Sequence, residues 1–292
     1  MMRMRTLLFS PGNNMRMIYK AGTLGADAII VDLEDAVPMA DKETARLFVR
    51  DTLPLLAEQP SSVFVRINAL TTGLTESDID WTVQAGLDGI VLPKAESADD
   101  VHAASAMIEK AERARALPTG GVRIVPLLET ARGVASARAV AAAHERVVAV
   151  AFGGVDFSRD MGVDLSREGD ELAYARAHIA LMAHAEGKLA VDTPWIDIHD
   201  PDGLRAHARM ARQLGFHGKL LIHPSQVAPV NAMFSPAPEA VAYAGKVVEA
   251  FEAARERGAG AISLDGKMID EANYRQARDV LAFSDTLEKS GT

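Results

Sequence analysis

The chain of 292 residues contains no cysteine. Disulfides, thiolate metal sites, iron–sulfur clusters and thiol nucleophiles are excluded together, which leaves catalysis to carboxylates, His, Lys, Arg, hydroxyls and hard metal ions. Positive charge is also scarce, with 31 Lys and Arg against 40 Asp and Glu and a net charge of −9. That sign repels phosphate backbones and anionic lipid surfaces, so no nucleic-acid partner is expected. Nowhere do 18 uncharged apolar residues run together, so no membrane span is expected. Thr6 to Phe9 follows Arg3 and Arg5 but is too short for a signal-peptide core, and the expected location is the cytoplasm. GxxxxGKS/T, a GxGxxG after a strand, HExxH and GxSxG are absent too, which removes the parts that P-loop, dinucleotide-binding, zincin and hydrolase-elbow chemistries require.

What is present is a balance of 48% hydrophobic and 24% charged residues, that of a globular protein with a substantial core. Short β-rich apolar runs lie near Thr6 to Phe9, Ala28 to Leu33, Ser62 to Ile67, Gly89 to Leu92, Val122 to Leu128, Val147 to Phe152, Leu189 to Val191 and Lys219 to Ile222. Helix-patterned segments separate them, at 14–25, 39–57, 76–85, 98–117, 131–143, 168–186 and 201–214. Eight such units over residues 1–235 match a (β/α)8 TIM barrel, with a doubly wound sheet as the alternative. The polar residues favour the barrel. Every strand ends in reactive side chains, whereas an open sheet draws its ligand crevice from only a few strands.

Residues 236–292 form a C-terminal helical extension, acting as a lid or oligomerisation segment. It reads as a long helix from Pro238 to Arg257, a break at Gly258 to Gly260, one β-like run from Ala261 to Leu264 and a last helix from about Glu271, with no core of its own.

Among the strand-end residues, Glu129 and Asp156 stand 27 positions apart, about one β/α unit, which sets them on adjacent strands. Two carboxylates without Cys or His suit an oxygen-loving cation such as Mg2+; the alternative is that each caps the helix that follows. Asp32, Glu34 and Asp35 crowd the end of a buried strand, where they can hydrogen-bond a metal's waters, or Asp35 can cap a helix. Arg66 puts a permanently charged fork at the end of an apolar strand. It can anchor a carboxylate or a developing oxyanion, or pair internally with Glu34 or Asp35. Gly153, Gly154, Val155 and Asp156 offer backbone N–H groups to a small carboxylate, or simply form a tight turn. Lys94 has the position of a Schiff-base lysine, but acids around it would keep the amine protonated. Arg16 and Lys20, at i and i+4, suit the phosphates of a large anionic substrate or are solvated surface charge.

The segments LLFSPGNN, AIIVDLEDAV, VFVRIN, GIVLPKAES, VPLLETARGV, FGGVDF, IHPSQV and LDGKMID, in this order, resemble the citrate lyase β-subunit (CitE-like) family of the HpcH/HpaI aldolase superfamily. The likeness runs from Thr6 to about Ala282, and no position in these segments departs from the pattern. It implies a trimer-forming (β/α)8 barrel with a C-terminal extension that uses Mg2+, or Mn2+, to cleave or form a C–C bond between a 2-oxo acid and a CoA or acyl-carrier thioester. By the same resemblance Glu129 and Asp156 are the metal ligands, Arg66 binds substrate, and Glu34 and Asp35 surround them. Asp270 is the acid that a neighbouring subunit contributes. The expected activity is that of a lyase for malyl-, citramalyl- or citryl-CoA, in a homotrimer or hexamer. The alternatives are an acyl-carrier-protein-dependent citrate lyase β subunit and a metal-dependent pyruvate aldolase.

Overall fold

A computed structural model describes residues 3–288. Eight parallel strands follow one another around a closed barrel: β1 (Thr6–Pro11), β2 (Ala28–Asp32), β3 (Ser62–Arg66), β4 (Gly89–Leu92), β5 (Arg123–Leu128), β6 (Ala149–Phe152), β7 (Leu189–Asp192) and β8 (Gly218–Leu221). β1 pairs with both β2 and β8, which closes the ring. The barrel expected from the strand ends is therefore the fold.

Strand alternation divides the apolar residues into two layers. Ala28 and Ile30 of β2, Phe64 of β3, Val91 of β4, Val125 and Leu127 of β5, Ala149 and Ala151 of β6, Val191 and Leu220 fill the interior. Their neighbours Ile29, Val31, Val63, Val65 and Val150 face outward and pack with the surrounding helices. These helices are α1 (Met15–Ala21), α2 (Lys42–Leu56), α3 (Thr75–Thr82), α4 (Ala98–Ala114), α5 (Ala131–Ala135), α6 (Ala137–Ala142), α7 (Gly154–Met161), α8 (Ala173–Ala185), α9 (Pro201–Gln213) and α10 (Val227–Phe234).

Around the barrel, α5–α6 and α7 differ from the sequence pattern. The single helix expected over 131–143 is broken at Ser136, whose N–H is shared between the Arg132 and Gly133 carbonyls at 3.0 and 3.2 Å in a tightened turn. A helix also begins at Gly154 where a turn was one of the readings, because two glycines conceal helical propensity.

The chain divides into two compact units, one ending at Phe234 and the other running from Ser235. The second comprises α11 (Pro238–Glu256), an antiparallel hairpin of β9 (Ile262–Leu264) and β10 (Lys267–Ile269), and α12 (Glu271–Glu288). Asp265 and Gly266, both at positive φ, make the two-residue turn that the single expected β-run lacked. Contrary to the sequence reading this unit has a small core, formed by Ala244, Val247, Phe251, Ile269, Tyr274 and Ala277. Among the described residues no helix is long and apolar enough to cross a membrane.

Behind β7 and β8 lies a fully buried charge cluster. Arg176 of α8 grips Asp192 with two hydrogen bonds, Nε to Oδ1 at 2.9 Å and Nη2 to Oδ2 at 2.8 Å. Lys219 Nζ donates to the same Oδ2 at 2.7 Å. Nζ also meets His207 Nδ1 at 2.6 Å, so the ring nitrogen is the acceptor and the imidazole is neutral. Burial, reinforced by Lys219, pushes the His207 pKa down to about 3. One carboxylate thus compensates two cations. Asp192→Asn is expected to cost about 3–5 kcal/mol, because it leaves both cations without a buried counter-charge. Urea denaturation measures it, and a loss below about 1 kcal/mol would show that water reaches the cluster.

Candidate functional site

The alternation that fills the barrel also furnishes its mouth. One step beyond the last interior residues Ile30, Phe64, Leu127, Ala151, Val191 and Leu220, the inward phase delivers Asp32, Arg66, Glu129, Gly153, Thr193 and Ile222. All six line one cavity of about 470 Å3, together with Asp35, Val155 and Asp156.

Asp32 and Arg66 are partners in the β2–β3 register. Arg66 binds Asp32 through Nε at 2.7 Å and Nη2 at 2.6 Å. Its Nη1 lies 3.2 Å from Glu34 and 3.8 Å from Asp35. The guanidinium also rests on Phe9, 4.9 Å from the ring centroid. The internal pairing considered from sequence therefore exists, with Asp32 as the main partner and Glu34 and Asp35 beside it. Asp32 also accepts from the N–H groups of Glu34 and Ala36, which bends the chain after β2 and aims Glu34 toward Lys94.

Lys94 joins two acids. Its Nζ donates to Glu34 Oε1 at 2.7 Å and its backbone N–H to Glu129 Oε1 at 2.8 Å. Burial opposes the charge on Lys94, but the hydrogen bond and field of Glu34, with Glu129 and Asp35, outweigh it and raise its pKa. The amine stays protonated, as the acid-rich surroundings implied.

Glu129 is 1% exposed. It does not cap the next helix, since Thr130 does so by accepting from Gly133 N–H. Asp156 is the third residue of α7 and Asp35 caps no helix, so capping explains none of these acids. Burial lifts the Glu129 carboxyl from 4.5 to about 8, with Glu34 and Asp156 adding to the rise and Arg66 and the Lys94 N–H opposing it. A carboxyl raised by burial and by other acids is one that a bound cation would ionise. Among the described residues no group of three or more His, Asp or Glu side chains converges on a metal position. A cation here therefore takes at most the two carboxylates from the chain, which fits an ion that completes its shell with water and substrate oxygens.

The glycine pair differs from the expected cradle. Gly153 N–H already donates to the Leu128 carbonyl at 2.9 Å, and Gly154 N–H to Thr193 Oγ1 at 2.8 Å. Neither is available to a ligand, because both tie the start of α7 to the barrel. The next donors of that turn belong to Val155 and Asp156. Arg16 and Lys20 are exposed on α1 and do not line the cavity. Asp270 belongs to the second unit, where its Oδ1 accepts from the Ala272 and Asn273 N–H groups at 3.0 and 3.1 Å and caps α12. Sequence reasoning does not pair Asp32 with Arg66 and gives Thr193 no role. Their signal was the inward phase of β2 and β7.

The sequence profile of the HpcH/HpaI aldolase/citrate lyase family matches residues 5–224. The chain is 38% identical to the citrate lyase subunit beta of Leuconostoc mesenteroides subsp. cremoris, over 96% of this chain and 93% of that one. It is 36% identical to the L-malyl-CoA/beta-methylmalyl-CoA lyase of Cereibacter sphaeroides, over 95% and 93%. The crystal structure of protein CitE from Mycobacterium tuberculosis in complex with magnesium, acetoacetate and coenzyme A superposes with a TM-score of 0.77 at 34% identity, covering 96% of this chain and 98% of that one.

The raised Glu129 carboxyl has a pH signature. Its protonated form is favoured by folding, so its contribution to stability is complete below about pH 4.5 and is lost as the pH climbs through about 8. Without divalent cations, wild type should therefore lose stability relative to Glu129→Gln between those limits, with a constant gap above them. Urea midpoints at pH 5, 7 and 9 test this, and a gap independent of pH contradicts it.

Proposed function

The chain belongs to the HpcH/HpaI aldolase/citrate lyase family, and from that premise we propose that it is a Mg2+-dependent carbon–carbon lyase. It cleaves, or forms, a hydroxyacyl-CoA thioester of the malyl, citramalyl or citryl type, exchanging it for a 2-oxo acid and an acyl thioester. The observation that carries this reading is the convergence of Glu129, Asp156 and Arg66 on one cavity. Glu129 and Asp156 hold the ion, Mn2+ being an alternative to Mg2+. When bound, the ion supplies a Lewis acid for the hydroxyl and carboxylate oxygens of the substrate.

The remaining work falls to the chain. Arg66, fixed from behind by Asp32, stabilises the oxygen on which charge develops as the C–C bond breaks. Glu34 and Asp35 hold Arg66 in register, and Glu34 also holds Lys94. The Val155 N–H meets the substrate carboxylate. The substrate hydroxyl gives up its proton to solvent as its carbon becomes the carbonyl of the 2-oxo acid, and the electrons of the broken C–C bond pass to the acyl α-carbon, leaving a thioester enolate. Asp270 of a second copy protonates that carbon, or removes its proton in the reverse direction. Arg16 and Lys20 receive the phosphates of the thioester carrier. The tail acts as the lid and oligomerisation segment of a homotrimer or hexamer in the cytoplasm.

A screen of purified protein against malyl-, citramalyl- and citryl-CoA tests the reading. At least one thioester should be cleaved with Mg2+ and none in EDTA, and Arg66→Lys should lose about tenfold or more in kcat/KM on it, since a point charge does not replace the planar fork. Turnover of free aldehyde plus pyruvate without a thioester would favour an aldolase, and activity only with a carrier protein would favour a citrate lyase β subunit.

The shared site has its own test. Inactive Asp270→Ala and Glu129→Ala subunits, mixed into hybrid oligomers, should regain partial activity. Hybrids that form and stay inactive would remove Asp270 from the mechanism.

A further inference from the structure

The helix that carries Asp156 cannot be capped by its own N-cap residue. That residue is Gly153, and a Cβ there would lie 2.7 Å from Glu129 Cβ and 2.8 Å from Glu129 Oε2. A Ser, Thr, Asp or Asn that would normally satisfy the first-turn donors does not fit. The cap arrives from another strand. Gly154 N–H donates to Thr193 Oγ1 at 2.8 Å, a buried bond across 39 positions of sequence.

Thr193 is itself held. It follows β7 in the inward phase, is 2% exposed, and its carbonyl accepts from Lys219 Nζ. Lys219 is anchored to Asp192, which Arg176 grips in turn. The contacts form a continuous path from the buried charge cluster through Lys219 and Thr193 to Gly154, with Asp156 two residues further on. Arg176, Asp192, Lys219 and Thr193 are all buried, so the path runs without a solvent-exposed link as far as Gly154.

We propose that Thr193 is a positioning residue whose hydroxyl caps α7 and so fixes Asp156 relative to Glu129. This rests on the reading that Glu129 and Asp156 hold a divalent cation. The physical reason is that two ligands on different elements bind an ion well only when the spacing between those elements is set in advance. Thr193 also lines the cavity, so a direct contact with substrate is the competing role. Metal binding without substrate separates the two, because a substrate contact leaves it unchanged.

The experiment titrates the full-length protein with Mn2+ in the absence of substrate and reads free Mn2+ by electron paramagnetic resonance. Thr193→Val keeps the shape but removes the acceptor and should weaken Mn2+ binding about tenfold or more, whereas Thr193→Ser keeps the hydroxyl and should stay within about twofold of wild type. Circular dichroism establishes folding, and if Thr193→Val does not fold, Thr193→Ala replaces it in the comparison with Ser. Glu129→Ala is the reference for loss of a ligand. Wild-type Mn2+ affinity in Thr193→Val, beside loss in Glu129→Ala, overturns the positioning role alone. Equal weakening in Val and Ser variants also overturns it, because the hydroxyl would then not be what matters. Wild-type affinity in Glu129→Ala overturns the metal reading, and the positioning role falls with it.

Discussion

Asp32 and Arg66 meet across adjacent parallel strands at the point where the barrel interior gives way to its mouth, and the charge distribution of the mouth is organised around them. Five carboxyl groups, those of Asp32, Glu34, Asp35, Glu129 and Asp156, face two cationic side chains, Arg66 and Lys94, while Lys42 stands behind Asp32, Glu34 and Asp35 with its ammonium on the Leu33 and Glu34 carbonyls. Asp32 takes two of the guanidinium's three nitrogens, Glu34 shares the third, and Lys94 bridges Glu34 to Glu129. The cations are used up before Glu129 and Asp156 are satisfied. Burial, reinforced by that shortage, is why the Glu129 carboxyl rises to about 8 and why a hard cation suits the site.

One layer outward the imbalance has the opposite sign. Asp192 and Lys219 occupy the outward phase of β7 and β8, where Arg176 joins them and no water-facing route relieves the excess positive charge. Lys219 responds, its pKa pushed down to about 8 by burial, with Arg176 adding to the fall and Asp192 opposing it. His207 stays neutral because burial disfavours its charged form and Lys219 and Arg176 repel a third cation more than Asp192 attracts it. The two clusters alternate in sign because the strand backbone separates them. An acid in the inward phase enters the mouth, and its neighbour in the outward phase enters the helix layer.

Period-two alternation is also what made most of the site legible. Arg66 and Glu129 are visible in sequence as polar residues at the ends of apolar strands, and their phase puts them in the cavity. Asp156 was legible only as a strand-end acid, although it sits in the first turn of α7, because Gly153 and Gly154 suppress the helical pattern there. The pairing of Arg66 with Glu34 or Asp35 is legible and present, but its tightest partner, Asp32, is not, since finding it requires the β2–β3 register, which no single-chain pattern prints. The phase of β7 places Thr193 in the mouth, but its contact with α7 is hidden for a similar reason: a cap supplied across 39 positions leaves no local signature. In the tail, the buried residues of α11 and α12 recur at helical spacing, but their meeting as a core depends on the hairpin turn at Asp265 and Gly266, which brings Ile269 among them.

Lys94 shows how little backbone strain is needed to hold such a site. It has φ of 49°, a left-handed conformation that costs a non-glycine residue about 1–2 kcal/mol. A glycine would adopt it freely but would carry no ammonium group. With Lys, the same residue turns its N–H toward Glu129 Oε1 and extends Nζ to Glu34 Oε1, so two acids from different strands are fixed by one side chain and its own amide. Those contacts also decide its chemistry. A Schiff-base lysine must offer a neutral amine, whereas each acid that Lys94 holds raises its pKa. The geometry that makes Lys94 a brace therefore removes it as a nucleophile, and among the described residues it leaves two acids of this mouth, Glu129 and Asp156, without a cationic side chain in hydrogen-bond contact.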